Sequence, residues 1–327
     1  VTDPGAVLVC RLSALGDVVL ALPVIRALRE RFPQARLELL SREPFGRVLQ
    51  GEPALDALHL WPGKGAPRPE SVAARRWDVV VDLSGSGRSR RLLAGVPAGR
   101  VLRVQKQTLR RFAFVRLRRF GATGEGLRPA VDRMLATLAP LGIRDAELRP
   151  RFDRAAPPAD GPVLIAPGAG RATKCWPIER FAEIGARLVD AGERVLAVGS
   201  ADEGPLVRRV VEGLPAGRWE SVTGPDPSGL PGLAGRCPVA LTNDSGLLHV
   251  AEAAGARVVA LFGPTHPRLG FAPLNPESVA LHTGIGCSPC DLHGPETCPL
   301  GHHRCLRDLG VDEVWEALRA RLPARTT

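Results

Sequence analysis

Tyrosine is absent from these 327 residues, methionine occurs once, and aromatic side chains make up only 4% of the chain. Proteins that grip single-stranded nucleic acid stack bases on aromatic platforms, so this composition argues against that class of binder. No run of 18 or more apolar residues occurs, and no segment reads as a membrane-spanning helix. The opening residues Val1-Thr2-Asp3-Pro4-Gly5 lead into a short strand without a basic stretch followed by an apolar one, so the chain is expected to stay in the cytoplasm. Internal repeats and low-complexity tracts are also missing. What is present, 44% hydrophobic residues in a chain of this length, fits two globular domains of about 150 residues each.

Acidic residues are missing from one long stretch. Between Asp82 and Glu125 there is none, against 11 basic residues: Arg88, Arg90, Arg91, Arg100, Arg103, Lys106, Arg110, Arg111, Arg116, Arg118 and Arg119. Its 11 positive charges could account for the whole of the chain's net charge of +10. Apolar residues such as Leu109, Phe112, Phe114 and Phe120 are interleaved, so at least part of the stretch is expected to fold onto the core. It reads either as a docking face for an anionic partner, such as lipid headgroups, a phosphorylated glycan or nucleic acid, or as an arginine-rich solvated face.

Strand and helix patterns alternate along the chain. Ala6 to Cys10 is a strand, Arg11 to Asp17 a glycine-bearing loop, and Val18 to about Phe32 an apolar-periodic helix, the first unit of a nucleotide-binding type of α/β domain. Strands follow at Arg36 to Leu40 and Trp77 to Leu83, and a helix at Ala130 to Leu141. Asp153 to Pro162, rich in Pro and Gly, is the linker candidate. The alternation restarts with strands at 163–166, 194–198, 239–241 and 258–262, and helices at 178–191, 205–213 and from Leu247 to Ala254. This organisation predicts two doubly wound parallel-sheet domains, over 1–155 and 156–310, with a cleft between them. A last helix carries Val311, Val314, Trp315, Leu318 and Leu322 on one face.

The chemistry-bearing residues sit where strands hand over to helices. Thr242-Asn243-Asp244-Ser245-Gly246-Leu247-Leu248-His249 ends a strand and starts a helix, leaving Ser245 and Gly246 at a helix N-terminus. Free N–H groups and the helix dipole favour an anion there, although a capped turn with no ligand has the same residues. Asp17, after Gly16, is the first carboxylate past the opening strand. It is either an N-cap or a proton acceptor. In the second half, Pro167 to Pro177 repeats the design with Gly168, Gly170, Lys174 and a Pro-led helix; the spacing is not that of a Walker loop, and Lys174 is a mobile charge suited to a diphosphate or simply to solvent. Glu203, after another strand, is placed to reach ribose hydroxyls or to cap a helix. Cys287-x2-Cys290-x7-Cys298-x6-Cys305, with His293, His302 and His303 nearby, has spacing at which thiolates converge on a structural zinc or an iron–sulfur cluster, with unligated thiols as the plain alternative.

Taken in order, these segments resemble the ADP-heptose:lipopolysaccharide heptosyltransferases, glycosyltransferase family nine. The matching pieces are Arg11-Leu-Ser-Ala-Leu-Gly-Asp17 with Leu22-Pro23, Lys174-Cys-Trp-Pro177, Asn243-Asp244-Ser-Gly-Leu-Leu-His249, Leu261-Phe-Gly-Pro-Thr265 with Pro267, and the cysteine-rich tail. The resemblance implies a GT-B architecture, two Rossmann-like domains with acceptor bound mainly by the first and sugar nucleotide by the second, and residues 311–327 packing back on the first. It implies inverting transfer of heptose from ADP-heptose to a lipopolysaccharide inner-core acceptor, with Asp17 as catalytic base and no catalytic cofactor. Gly16, Lys174, Glu203, Asp244, Ser245, Gly246 and His249 become nucleotide-sugar contacts. No Asp-x-Asp pair exists to carry a divalent ion, so Lys174 and helix amides would meet the diphosphate. The implied partners are the nucleotide sugar, an anionic glycolipid and the inner membrane surface. Two other readings are a relative using another nucleotide sugar or acceptor, and a basic nucleic-acid-binding protein with a cysteine-rich metal site, whose affinity would fall log-linearly with salt.

Overall fold

The structure, a computed structural model, describes residues 3–117 and 124–324; Val1, Thr2, Arg118, Arg119 and Phe120 of the segments discussed above lie outside the described residues. The chain forms two compact units. One comprises 1–106, 130–153 and 226–229, and the other 107–129, 154–225 and 230–327. The basic stretch is therefore divided between them: the residues from Arg88 to Lys106 belong to the first unit and those from Arg110 to Arg116 to the second.

The first unit opens with strand β1 (Ala6–Cys10), followed by helices α1 (Leu15–Val19) and α2 (Leu22–Arg31). The single helix expected from Val18 to Phe32 is interrupted because Pro23 cannot donate into a continuous helix; it stands instead in the first turn of α2. Strands β2 (Arg36–Arg42), β3 (Ala57–Trp61), β4 (Trp77–Asp82) and β5 (Ala98–Arg103) complete a sheet of order β3-β2-β1-β4-β5 in which every pairing is parallel. Helices α3 (Glu70–Ala73), α4 (Gly87–Leu93) and α6 (Ala130–Leu135) belong to this unit. The core on one side of the sheet gathers Leu8, Cys10, Leu40, Trp77 and Val80.

The second unit has strands β6 (Val163–Ala166), β7 (Val195–Gly199), β8 (Trp219–Thr223), β9 (Val239–Asn243), β10 (Arg257–Leu261) and β11 (Val279–Leu281), in the parallel order β11-β10-β9-β6-β7-β8. Its helices are α5 (Thr108–Leu117), α7 (Ile178–Asp190), α8 (Gly204–Val211), α9 (Leu230–Ala234), α10 (Gly246–Ala253), α11 (Arg304–Arg307) and α12 (Val311–Arg319). Trp176, Phe181, Ile184, Leu188 and Leu241 build the core beneath α7. Val314 and Leu318 of α12 are fully buried in that same core. The terminal helix thus packs on the second unit, where the resemblance led us to expect it on the first, because its apolar stripe meets α7 and β10, distant in sequence but adjacent in space.

In both sheets the chain winds outward from the first strand in one direction and then in the other. The direction reverses between β1 and β4 in the first unit and between β6 and β9 in the second. Loops at the C-terminal ends of strands flanking such a reversal are where open α/β sheets bind ligands.

Candidate active site

In the second unit, three loops at strand C-termini are tied together by a few polar side chains. Asn243, buried at the end of β9, donates from Nδ2 to the Pro167 carbonyl at 2.8 Å and accepts the Trp176 N–H at Oδ1 at 3.0 Å. It staples the start and end of the loop that follows β6. Trp176 is itself fixed, 2% exposed, with Nε1 donating to the Leu309 carbonyl at 3.0 Å. Between these anchors Lys174 closes a tight turn, Ala172–Lys174, and places Nζ 2.8 Å from Asp244 Oδ2. Thr265, in the loop after β10, donates its hydroxyl to the same oxygen at 2.6 Å.

The next residue, Ser245, caps α10 in an extended conformation without accepting a hydrogen bond from the helix, and its hydroxyl is buried with no partner. Gly246 begins the helix. An unengaged hydroxyl, the free N–H groups of a helix start and a lysine ammonium at one place form a site for an anion. The aspartate beside them holds Lys174 in position.

Of the residues selected from sequence, Lys174, Asp244, Ser245 and Gly246 come together here. Glu203 stands at the adjacent strand end, where its Oε2 accepts the Ser200 N–H at 2.8 Å and caps the turn leading into α8. Its carboxylate presses on Gly168 so closely that a Cβ there would stand 2.0 Å from Glu203 Cδ, which explains the glycine. Burial, reinforced by Glu203, raises the Cys175 thiol above its ordinary pKa. His249 lies one turn inside α10, 2% exposed and with its ring 6.4 Å from that of Phe271. Its place is the helix's packed side.

Asp17 and Gly16 lie in the first unit, in α1 just past the end of β1. The Asp17 carboxylate accepts the Ala14 N–H at 3.0 Å, fastening the first turn, and forms an ion pair with Arg11. Arg11 also donates to the Leu83 carbonyl, so the guanidinium bridges the ends of β1 and β4. Beside it, buried Asp82 accepts the N–H groups of Ser84 at 3.0 Å and Gly85 at 2.9 Å and the Ser89 hydroxyl at 3.0 Å, forming the loop that opens α4. Arg11, Asp82, Asn243 and Thr265 were not assigned roles from sequence. All four stand within a few residues of a strand end, a weak signal that becomes useful only once the strands are placed.

The cysteine-rich segment leans on the lysine loop. Thr173 donates to the Pro295 carbonyl at 2.6 Å, Arg171 pairs with Glu296, and Gly294 lies against the Lys174 stem. Cys287, Cys290, Cys298, Cys305, His302 and His303 line one cavity of about 400 Å³. Burial, and then the neighbouring Cys290, Cys287 and Cys298, push the Cys305 thiol up to about 11. At Cys298 the partial burial that would raise the pKa is outweighed by N–H groups of His303, Leu300, His302 and Gly301, which lower it. Donor chemistry therefore suits a thiophilic ion, but as the side chains lie no three His, Cys, Asp or Glu among the described residues are arranged to hold a metal.

Two parallel sheets, each reversing at a loop that carries charged side chains, define a protein of two doubly wound α/β units. The family model of glycosyltransferase family 9 (heptosyltransferase) matches residues 70–298, and the chain belongs to that family. It is 26% identical to lipopolysaccharide heptosyltransferase 2 of Escherichia coli K12 over 97% of this chain and 98% of that protein. It is also 35% identical to lipooligosaccharide heptosyltransferase 2 of Campylobacter jejuni, in a match that spans about a quarter of that relative's length. Among solved structures, the E. coli ADP-heptose LPS heptosyltransferase II matches with a TM-score of 0.75 at 22% identity, covering 97% of this chain and 98% of that one. The E. coli heptosyltransferase WaaC with ADP matches with a TM-score of 0.69 at 19% identity, covering 84% of this chain and 92% of that one. The architecture is GT-B, as the motif order implied.

Proposed function

We propose that this chain transfers heptose from ADP-heptose to an inner-core sugar of a lipopolysaccharide acceptor, with inversion at the anomeric carbon. The observation that carries the reading is the anion site formed by Lys174, the Ser245 hydroxyl and the start of α10 at the reversal of the second sheet. The names of its relatives supply the sugar and the acceptor. In this mechanism Asp17 takes the proton from an acceptor hydroxyl as that oxygen bonds to the anomeric carbon. The bond from that carbon to the β-phosphate oxygen breaks, and ADP leaves with the electron pair. Charge grows on the diphosphate as the bond breaks, so preorganised donors at Lys174, Ser245 and Gly246 stabilise the transition state more than the ground state.

Gly16 stands next to the base in α1, Glu203 borders the nucleotide loop, and His249 shapes α10 from its buried side. Arg11, ion-paired with Asp17, is a positioning residue for that carboxylate. The reaction belongs on the cytoplasmic side, at the face of the inner membrane where such a glycolipid is assembled. The cysteine cavity offers four thiols of the right chemistry for a structural zinc or an iron–sulfur cluster, which Cys287, Cys290, Cys298 and Cys305 would hold only by drawing closer together than they lie; metal analysis with visible absorption after anaerobic purification tests it, and metal-free protein would remove the assignment. The transfer reading is tested by a thermal-shift panel of ADP, UDP, GDP and CMP sugars, because a ligand of the native state raises the melting temperature by mass action. ADP-heptose should stabilise most. Stronger stabilisation by another nucleotide sugar would move the protein to a different donor.

A further inference from the structure

Helix α5 has two apolar faces, and among the described residues only one of them is packed. On its inner face Phe114 and Val115 join Leu269, with Leu127 and Leu292 beside them, and the Phe114 ring meets His266 edge-on at 5.4 Å. Arg111 lies on the same side, 5.5 Å over the Phe271 ring. The helix is fixed at its start by Gln107, whose amide donates to the Gly126 carbonyl and accepts the Arg128 N–H, both at 3.0 Å. It is therefore a seated element of the second unit.

The opposite face carries Leu109, Phe112, Ala113 and Arg116, at the i, i+3, i+4, i+7 spacing of a single stripe. Leu109 is 85% exposed, Phe112 50% and the flanking Leu117 49%. Three of the seven large exposed hydrophobic side chains among the described residues thus fall on this one ten-residue helix. Scattered singly they would need no explanation, but concentrated on one face they mark a surface that something covers.

Charge identifies what covers it. The helix has no acidic residue; Arg110 flanks the stripe with one guanidinium nitrogen 3.4 Å from the Gly126 carbonyl, and Arg116 lies within it at the edge of the cysteine cavity, its guanidinium 5.4 Å over the Phe112 ring. A second copy of the same face would set arginine against arginine. A leucine and a phenylalanine among cations suit a surface that is apolar within and anionic at its rim. We infer that α5 is a membrane-docking helix. It lies in the plane of an anionic bilayer, with Leu109 and Phe112 at the boundary of headgroups and acyl chains and the arginines on the lipid phosphates.

This inference takes its membrane setting from the function proposed above, and its test needs neither donor nor acceptor. The full chain would be co-sedimented with phosphatidylcholine vesicles and with vesicles mixed equally with phosphatidylglycerol. We expect at least about tenfold stronger binding to the anionic vesicles, weakening as salt rises. Leu109→Glu with Phe112→Glu should reduce that binding by about tenfold or more while ADP affinity stays unchanged. Leu109→Ser, at the more exposed of the two positions, provides the same comparison if the double variant folds poorly. Equal binding to both vesicle types, undiminished binding by the variants, or a self-association in solution that the variants dissolve would each overturn the proposal. Failure of wild-type protein to bind ADP would instead strike the transfer reading and leave the helix untouched.

Discussion

Lys174 shows how a few contacts turn an ordinary loop residue into part of a site. In the sequence it is a lysine after two glycines, and solvent is as reasonable a destination as a phosphate. Its role depends on Asn243 stapling the loop, on Trp176 anchoring the loop's far end, and on Asp244 and Thr265 meeting at the oxygen that receives the ammonium. Asn243, Asp244 and Thr265 lie about 70 to 90 residues from Lys174, and Leu309, which anchors Trp176, about 135, a range at which spacing carries no information. Lys174→Ala should weaken ADP binding by roughly 10- to 100-fold, the size of a lost charge-assisted contact, as measured by titration calorimetry. Retained affinity would remove the lysine from the diphosphate site. Thr265→Val removes one of the two donors on that Asp244 oxygen and should give a smaller loss in the same assay. The pairing of Arg11 with Asp17 was equally hidden, although both ends of the motif are in plain view.

Strands show most clearly what the sequence reveals and why. The seven read from apolar runs, β1, β2, β4, β6, β7, β9 and β10, are all interior to their sheets. The four missed, β3, β5, β8 and β11, are all edges. Interior parallel strands are covered on both faces and read as continuous apolar runs, whereas edge strands such as Trp219–Thr223 and Ala98–Arg103 are largely exposed and carry charge. The edge strand β3 also hides a buried ionic cluster. Glu38 of β2, 1% exposed, lies 2.5 Å from His59 Nε2 and pairs with Arg36 and Arg75, and the Ser71 hydroxyl meets His59 Nδ1 at 2.8 Å. Burial alone would raise the Glu38 pKa, but Arg36, His59 and Arg75 outweigh it and hold it below its ordinary value. A carboxylate with a depressed native pKa contributes stability above its unfolded pKa and loses that contribution as pH falls through the folded value. The protein should therefore lose stability on acidification below about pH 4.5, and Glu38→Gln should blunt that loss. At neutral pH the same variant should cost about 2 kcal/mol in urea unfolding, since two half-exposed arginines lose their buried partner. An unchanged midpoint would show that the cluster contributes nothing net.

For the molecule as a whole, family membership follows from the order of motifs along the chain more than from any one of them. Each motif taken singly fits a bland turn or cap. The division into units was less legible: residues 107–129 join the second unit although they precede the linker, and α12 packs where its stripe finds a neighbour. Both follow from long-range packing that no local pattern encodes. The central claim is a division of labour, with the Asp17 carboxylate accepting a proton and the α10 turn holding the leaving diphosphate. The most direct measurement of it is the rate of heptosyl transfer from ADP-heptose by Asp17→Asn, alongside the affinity of the same variant for ADP. Turnover should fall by about a hundredfold or more, the scale of a lost general base, while ADP affinity stays unchanged. Transfer at the wild-type rate would contradict the assignment of Asp17 as the base.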